Sequence, residues 1–94
     1  MKKYKATFEI GWMHETIEGD TPSELIQGVE NVQDLRCLLQ MGATMEPNKG
    51  KPELRKLESF LEKYYDNTLT INDIKSLDIQ LSIGSIKCTD LIEQ

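Results

Sequence analysis

The stretch TPSELIQGVENVQDLRCLLQMG, Thr21 to Gly42, carries the longest amphipathic pattern in the chain and decides its fold. Thr21, followed by Pro22 and then Glu24, is a capping box with proline at the first helical position. Apolar residues then recur at steps of three and four, the spacing of one helix face. They are Leu25, Val29, Val32, Leu35 and Leu39. We predict one helix from Pro22 to Met41, ended by Gly42 in the left-handed conformation.

The segment before this helix alternates apolar and polar residues, which is the period of a half-buried strand. Gly11 and Trp12 then form a two-residue type II′ turn with glycine first, and a second strand returns to Glu18. We predict a register in which Ile10 faces Met13, because this places complementary polar residues opposite each other on one face. Those pairs are Glu9 with His14, Thr7 with Thr16, and Lys5 with Glu18.

The second half of the chain predicts one more helix and one more hairpin. After a linker over residues 43–51, a helix begins at Pro52 and ends near Asp66. Residues 70–76 fit either a short helical turn or a strand. The final hairpin is expected to turn at Gly84-Ser85, which pairs Ile83 with Ile86 and Leu81 with Cys88.

These elements predict a single α+β domain over residues 1–94, in the order ββααββ. The expected architecture is an antiparallel sheet of about four strands with two helices packed on one face. The other face of the sheet is predicted to carry polar residues. They include Thr7, Glu9, His14, Thr16, Ser82 and Lys87.

The charge is unevenly distributed along the chain. The net charge is −5, and residues 6–35 contain seven acidic residues and no Lys or Arg. This asymmetry argues against nucleic-acid binding, which needs clustered basic residues. No apolar run is long enough to span a membrane, and no secretion signal is evident. We therefore expect a cytoplasmic protein whose Cys37 and Cys88 are free thiols.

The residue types of catalytic and metal sites are too scattered to predict an enzyme. His14 is the only histidine, so a histidine-based metal triad is excluded, and Cys37 and Cys88 lack metal-site spacing. No glycine-rich phosphate loop is present. The sequence therefore predicts no catalytic residues, no metal and no cofactor.

The predicted function is that of a small acidic protein-interaction module, an adaptor or inhibitor that binds a basic protein partner. Its size and acidity are typical of proteins from phages or mobile elements. Tryptophan is a favoured interface anchor, although at this turn a residue that caps the core is the slightly favoured interpretation. The predicted partner-binding residues are Trp12, Met13, Glu15, Glu18, Asp20 and Glu24. The alternatives are a structural subunit of a homo-oligomer and, more weakly, an enzyme whose site forms between subunits.

Overall fold

The computed structural model describes residues 1–45 and 50–94 and shows an α+β fold. Its elements are β1 (Tyr4–Ile10), β2 (Met13–Gly19), α1 (Pro22–Glu30), α2 (Leu35–Met45), α3 (Lys51–Tyr65), α4 (Ile71–Lys75), β3 (Asp78–Leu81) and β4 (Gly84–Glu93). The four strands form one antiparallel sheet in the order β2-β1-β4-β3. The predicted antiparallel sheet is confirmed, but the element order is ββααααββ and not ββααββ.

The first hairpin has the predicted register throughout. Ile10 pairs with Met13, and the polar pairs that the sequence places on one face lie directly opposite each other. Gly11 has a φ of +63° and Trp12 has a negative φ, as a type II′ turn requires. Glu15 is opposite the buried Phe8, which the edge position of β2 permits.

The prediction of one helix from Pro22 to Met41 is wrong, because the chain leaves the helix after Glu30 and starts again at Leu35. Two carboxylates stabilise the new helix start. The N–H of Cys37 donates to Asp34 Oδ1 at 3.0 Å, and the N–H of Leu35 donates to Glu30 Oε2 at 3.0 Å. Side-chain acceptors of this kind replace the missing intrahelical partners of a helix N-terminus.

Gly42 is not a left-handed helix end, since α2 continues to Met45 and, in the described residues, only Gly11 and Asn67 have positive φ. A β-carbon at Gly42 would lie 2.5 Å from Leu54 Cδ2. The glycine therefore permits close contact between α2 and α3. Of the linker predicted over residues 43–51, residues 43–45 belong to α2 and Lys51 begins α3, and residues 46–49 lie outside the described residues.

Residues 70–76 form a short helix, α4, with a capping box of its own. The hydroxyl of Thr70 accepts from the N–H of Asp73 at 3.2 Å, and Asp73 Oδ2 accepts from the N–H of Thr70 at 2.9 Å. This resolves the ambiguity of the segment in favour of the helical turn.

The second hairpin turns at residues 82–83, two residues earlier than predicted. Leu81 pairs with Gly84, and Ile79 pairs with Ile86, so the predicted pairs of Ile83 with Ile86 and Leu81 with Cys88 are wrong. The early turn starts β4 at Gly84 and gives it ten residues, enough to pair along all of β1. Gly84 acts as a strand residue beneath Leu38, whose Cδ1 would lie 3.3 Å from an added β-carbon.

The core forms from the apolar residues of the strands and helices together. Ala6 and Phe8 of β1, Leu25 and Ile26 of α1, and Leu57 of α3 are fully buried in one cluster. Burial of this apolar surface is the main force that holds the elements together. Alternate residues of β1 and β2 form the opposite, polar face of the sheet.

Candidate functional site

The first hairpin presents the most exposed large aromatic residue of the described chain. The side chain of Trp12 is 92% exposed at the turn, and the neighbouring Met13 is 38% exposed. The turn is tied to the second hairpin, because the N–H of Gly11 donates to the carbonyl of Ser85 at 2.9 Å. The backbone next to the indole is therefore hydrogen-bonded to the second hairpin, and the indole does not cap the core.

A groove of about 470 Å³ lies between the two hairpin turns and the connection from α1 to α2. Every described residue that lines it is uncharged. Trp12 and Met13 form one side, Gln33 and Leu38 contribute from the helices, and Ile83 closes the groove from the second turn. We call this region the tip groove.

Two of the predicted acidic residues lie along β2, the edge strand that leads away from the tip groove. Glu15 is half-buried, and Glu18 is exposed on the polar face of the sheet. Neither carboxylate forms a hydrogen bond or an ion pair with another described residue. Their charges are therefore available to an external partner.

The other two predicted acidic residues lie at the far end of β2 and already have partners. Glu24 Oε2 accepts from the N–H groups of Asp20 and Thr21 at 2.7 and 3.1 Å, which completes the predicted capping box. Asp20 Oδ1 accepts from the N–H of Lys3 at 3.0 Å, and Lys2 Nζ lies 3.7 Å from Asp20 Oδ2 and 3.9 Å from Glu24 Oε1.

The six predicted partner-binding residues therefore do not form one cluster. Six strand steps at about 3.3 Å each separate the two ends of β2 by roughly 20 Å. Trp12 and Met13 share the tip groove, whereas Asp20 and Glu24 stabilise the start of α1. Glu15 and Glu18 lie between these two ends.

The single histidine and the two cysteines lie on different elements, His14 on β2, Cys37 on α2 and Cys88 on β4. His14 Nε2 lies 3.8 Å from Glu9 Oε1, the predicted cross-strand partner, and the two side chains are 63% and 42% exposed. Cys37 and Cys88 are free thiols, exposed and half-buried respectively. Burial raises the pKa of the Cys88 thiol. Among residues 1–45 and 50–94, no group of three His, Cys, Asp or Glu residues could hold a metal ion.

A second groove, of about 410 Å³, runs beside α3 and carries basic residues. Two of its cations are already paired, since Lys56 Nζ lies 2.8 Å from Glu53 Oε1 and Lys63 Nζ lies 3.2 Å from Asp73 Oδ1. Asp78 also lines this groove. Two of the three basic residues that line this groove are therefore paired with carboxylates.

The residues of the tip groove that sequence reasoning missed include Gln33, Leu38 and Ile83. Gln33 was predicted to lie within an unbroken helix and not in a connection between two helices. Ile83 was predicted to lie in a strand, because the turn was expected at Gly84-Ser85. The signal that would have located the connection at Gln33 and the start of the helix that carries Leu38 is Asp34, whose spacing to Cys37 is that of a helix cap.

Comparisons with protein-family models, with curated proteins and with solved structures found no match. In the part of the chain that the structure describes, no helix has the length and apolar character needed to cross a membrane.

Proposed function

We propose that this protein is a non-catalytic interaction module, an adaptor or inhibitor of the kind that phages encode, which acts in the cytoplasm on a basic protein partner. The observation that carries the proposal is the 92% exposure of Trp12 beside the tip groove. Tryptophan is enriched among the residues that dominate binding energy at protein interfaces. An exposed indole beside an uncharged groove has the composition of such an interface centre.

The rigidity of the turn supports the role of Trp12 as an anchor. Type II′ geometry fixes the backbone on both sides of Gly11, and the bond from Gly11 to Ser85 joins the two hairpins. A backbone held in place before binding loses less conformational freedom when the complex forms. Met13 adds an adaptable apolar side chain next to the rigid indole.

The charge of β2 supports a basic partner. Glu15 and Glu18 have no partner among the described residues, and the seven acidic residues of positions 6–35 have no Lys or Arg between them. Such a surface attracts a basic protein over about one Debye length, or about 8 Å at physiological ionic strength. Complementary charge of this kind mainly accelerates association.

The proposal is tested by affinity capture from the native host's lysate with the wild-type protein and with two matched variants. Trp12→Ala removes the proposed anchor, and Tyr65→Ala removes an aromatic residue that is 53% exposed elsewhere on the surface. We expect a protein captured by the wild type and by Tyr65→Ala to be lost with Trp12→Ala. Equal capture by all three would refute the role of the tip groove.

A second candidate function is a structural subunit of a homo-oligomer without catalytic activity. It is favoured by the position of β2 at the edge of the sheet, where its outer side has no neighbouring strand among the described elements. Sedimentation at two protein concentrations distinguishes the two candidates. A stable oligomer that captures no partner would favour the second.

A further inference from the structure

The two edges of the sheet differ in how they are protected. At β3, the N–H of Gln80 points outward and donates to Glu53 Oε2 of α3 at 2.9 Å. The strand is also only four residues long. Short edge strands and covering side chains are common ways to prevent a further strand from pairing.

The other edge, β2, has seven residues and no such cover in the described structure. The two-residue turn makes Ile10 and Met13 a hydrogen-bonded pair, so the backbone groups of alternate residues from Met13 onward face β1. The N–H and C=O groups of His14, Thr16 and Glu18 therefore point away from the sheet. Among the described residues, these backbone groups have no partner and form a row of free donors and acceptors.

We propose that β2 pairs antiparallel with β2 of a second copy of this chain, around a two-fold axis at Thr16. This inference rests on the second candidate function and assigns its interface. Thr16 would face Thr16 of the second copy. His14 of each copy would face Glu18 of the other copy. Such an interface is isologous, because the same strand serves both copies. It joins the two sheets into one of eight strands.

The sequence of β2 selects this register over its neighbours. It is the symmetric register that pairs all seven residues from Met13 to Gly19. In every other two-fold register the strands are shifted, so that a residue other than Thr16 lies at the axis. A shift that brings Glu15 opposite Glu15 of the second copy places like charges together, which destabilises a sheet. The proposed register instead places Glu15 opposite Ile17.

Charge complementarity across the polar face supports a second copy as the occupant. Within one chain, neighbouring strands already align Asp78 with Lys87, Lys87 with Glu9, and Glu9 with His14. The proposed pairing extends this row, because His14 meets Glu18 of the second copy, which faces Lys5 in its own chain. Along this row, acidic groups then alternate with basic or imidazole groups across the interface between the two copies.

The proposal is tested by sedimentation equilibrium on the whole chain and on two charge variants. His14→Glu places Glu opposite Glu18 at both symmetric contacts, and Glu18→Lys places Lys opposite His14 at both. We expect the wild type to reach twice the 10.8 kDa mass of one chain. For each variant alone, the dissociation constant of the dimer should rise by about tenfold or more, because like charges directly opposite each other oppose pairing.

Mixing the two variants supplies the decisive arm. In a mixed dimer, Glu at position 14 meets Lys at position 18, and the second contact keeps the native His14 and Glu18. We therefore expect an equimolar mixture to recover dimerisation as a heterodimer. Gln40→Glu and Glu58→Lys make the same charge changes at exposed positions of α2 and α3 and should dimerise like the wild type.

Each outcome has a definite meaning. A wild type that remains monomeric at all concentrations overturns both this inference and the second candidate function. A wild-type dimer that ignores His14→Glu and Glu18→Lys keeps that function but overturns the β2 interface. Variants that are monomeric alone and remain so when mixed overturn the proposed register.

Discussion

Gly28 lies directly against Ile17, so closely that a β-carbon at position 28 would be 2.5 Å from Ile17 Cγ2. This contact joins α1 to β2 and explains a glycine within a helix, where glycine costs about 1 kcal/mol relative to alanine. The absence of a side chain sets the distance between the helix and the edge strand.

We predict that Gly28→Ala destabilises the fold by about 1 kcal/mol or more, despite the better helix propensity of alanine. The added methyl group would overlap a branched side chain near its own backbone, and overpacking of this kind typically costs about 1–3 kcal/mol. Chemical denaturation measures the change. In an Ile17→Ala background the same substitution should become neutral or stabilising, and an unchanged penalty there would contradict the contact.

Gly42→Ala provides a contrasting case. The added β-carbon would meet Leu54 Cδ2, a terminal methyl group that can rotate away. We expect a smaller loss than at Gly28, because side-chain rotation relieves the overlap and alanine favours the helix by about 1 kcal/mol. A larger loss of stability than in Gly28→Ala would show that Leu54 is held rigidly.

Thr21→Ala should lower the free energy of unfolding by about 1 kcal/mol, since replacing a helix cap with alanine costs about 0.5–2 kcal/mol. The structure shows the bond that would be lost, from the N–H of Glu24 to Thr21 Oγ1 at 3.2 Å. Thr21→Ser retains a hydroxyl at the cap and should remain close to the wild type. Equal denaturation midpoints for Thr21→Ala and the wild type would contradict the capping role.

The two cysteines should react at different rates with a thiol reagent. Cys37 is exposed, whereas Cys88 is half-buried and its pKa is raised by that burial, which reduces its thiolate fraction. We expect fast labelling of Cys37 and slow labelling of Cys88 in the folded protein, and fast labelling of both in denaturant. Cys37→Ala and Cys88→Ala assign the two phases; a faster reaction at Cys88 would contradict the burial order.

Glu53 should make the stability of the protein depend on pH in the acidic range. Its hydrogen bonds with Lys56 and with the N–H of Gln80 hold the pKa of its carboxyl below the ordinary value of 4.5. A lowered pKa in the folded state stabilises the fold above the unfolded pKa, and that contribution is lost as the pH falls through the folded value. Glu53→Gln should therefore destabilise near neutral pH and less so in acid.

The control for this prediction is Glu58→Gln on the same helix, because Glu58 is exposed and its carboxylate forms no hydrogen bond or ion pair with another described residue. Because this substitution removes no hydrogen bond of a carboxylate, we expect it to leave the stability close to that of the wild type. A stability difference for Glu53→Gln that does not change through the acid range would mean that its bonds to Lys56 and Gln80 do not favour the charged carboxylate.

Binding kinetics with a captured partner should separate the acidic strand from the aromatic anchor. Glu15→Gln combined with Glu18→Gln should slow association and reduce its salt dependence, since peripheral charges act mainly on the association rate. Trp12→Ala should instead accelerate dissociation, with about 2 kcal/mol or more of binding energy lost. Binding that is insensitive to salt would remove the case for a basic partner.

The folded state of Trp12→Ala is the control for the kinetic result. Because the Trp12 side chain is 92% exposed, we expect its removal to leave the unfolding transition close to that of the wild type. Asp20 and Glu24 are left out of the charge-neutral variant, because their carboxylates accept backbone hydrogen bonds at the start of α1.

Local periodicity and turn chemistry predicted the first hairpin fully. Alternation from Tyr4 to Ile10 and a glycine at the start of the turn determine the register without help from distant residues. The start of α1 was equally predictable, because Thr21 and Glu24 satisfy each other's backbone groups locally. These features depend on short-range interactions that the sequence displays directly.

The remaining errors came from competition between local signals and distant packing. The apolar stripe continues from Val29 through Leu35, yet the caps at Glu30 and Asp34 interrupt the helix. Gly42 and Gly84 resemble a helix end and a turn, but each lies against another element and serves packing. The exposure of Trp12 could likewise not be predicted from its neighbours in sequence, since it depends on how the two hairpins pack against each other.

Pairing of β1 with β4 at the centre of the sheet has a consequence for folding kinetics. About seventy residues lie between these strands, and their ladder is followed by a bond from the N–H of Gln94 to the carbonyl of Lys3 at 2.7 Å. Each hairpin can form early from neighbouring residues, but joining them requires closure of a long loop, which slows folding. During synthesis, β1 therefore cannot pair with β4 until β4 has emerged from the ribosome.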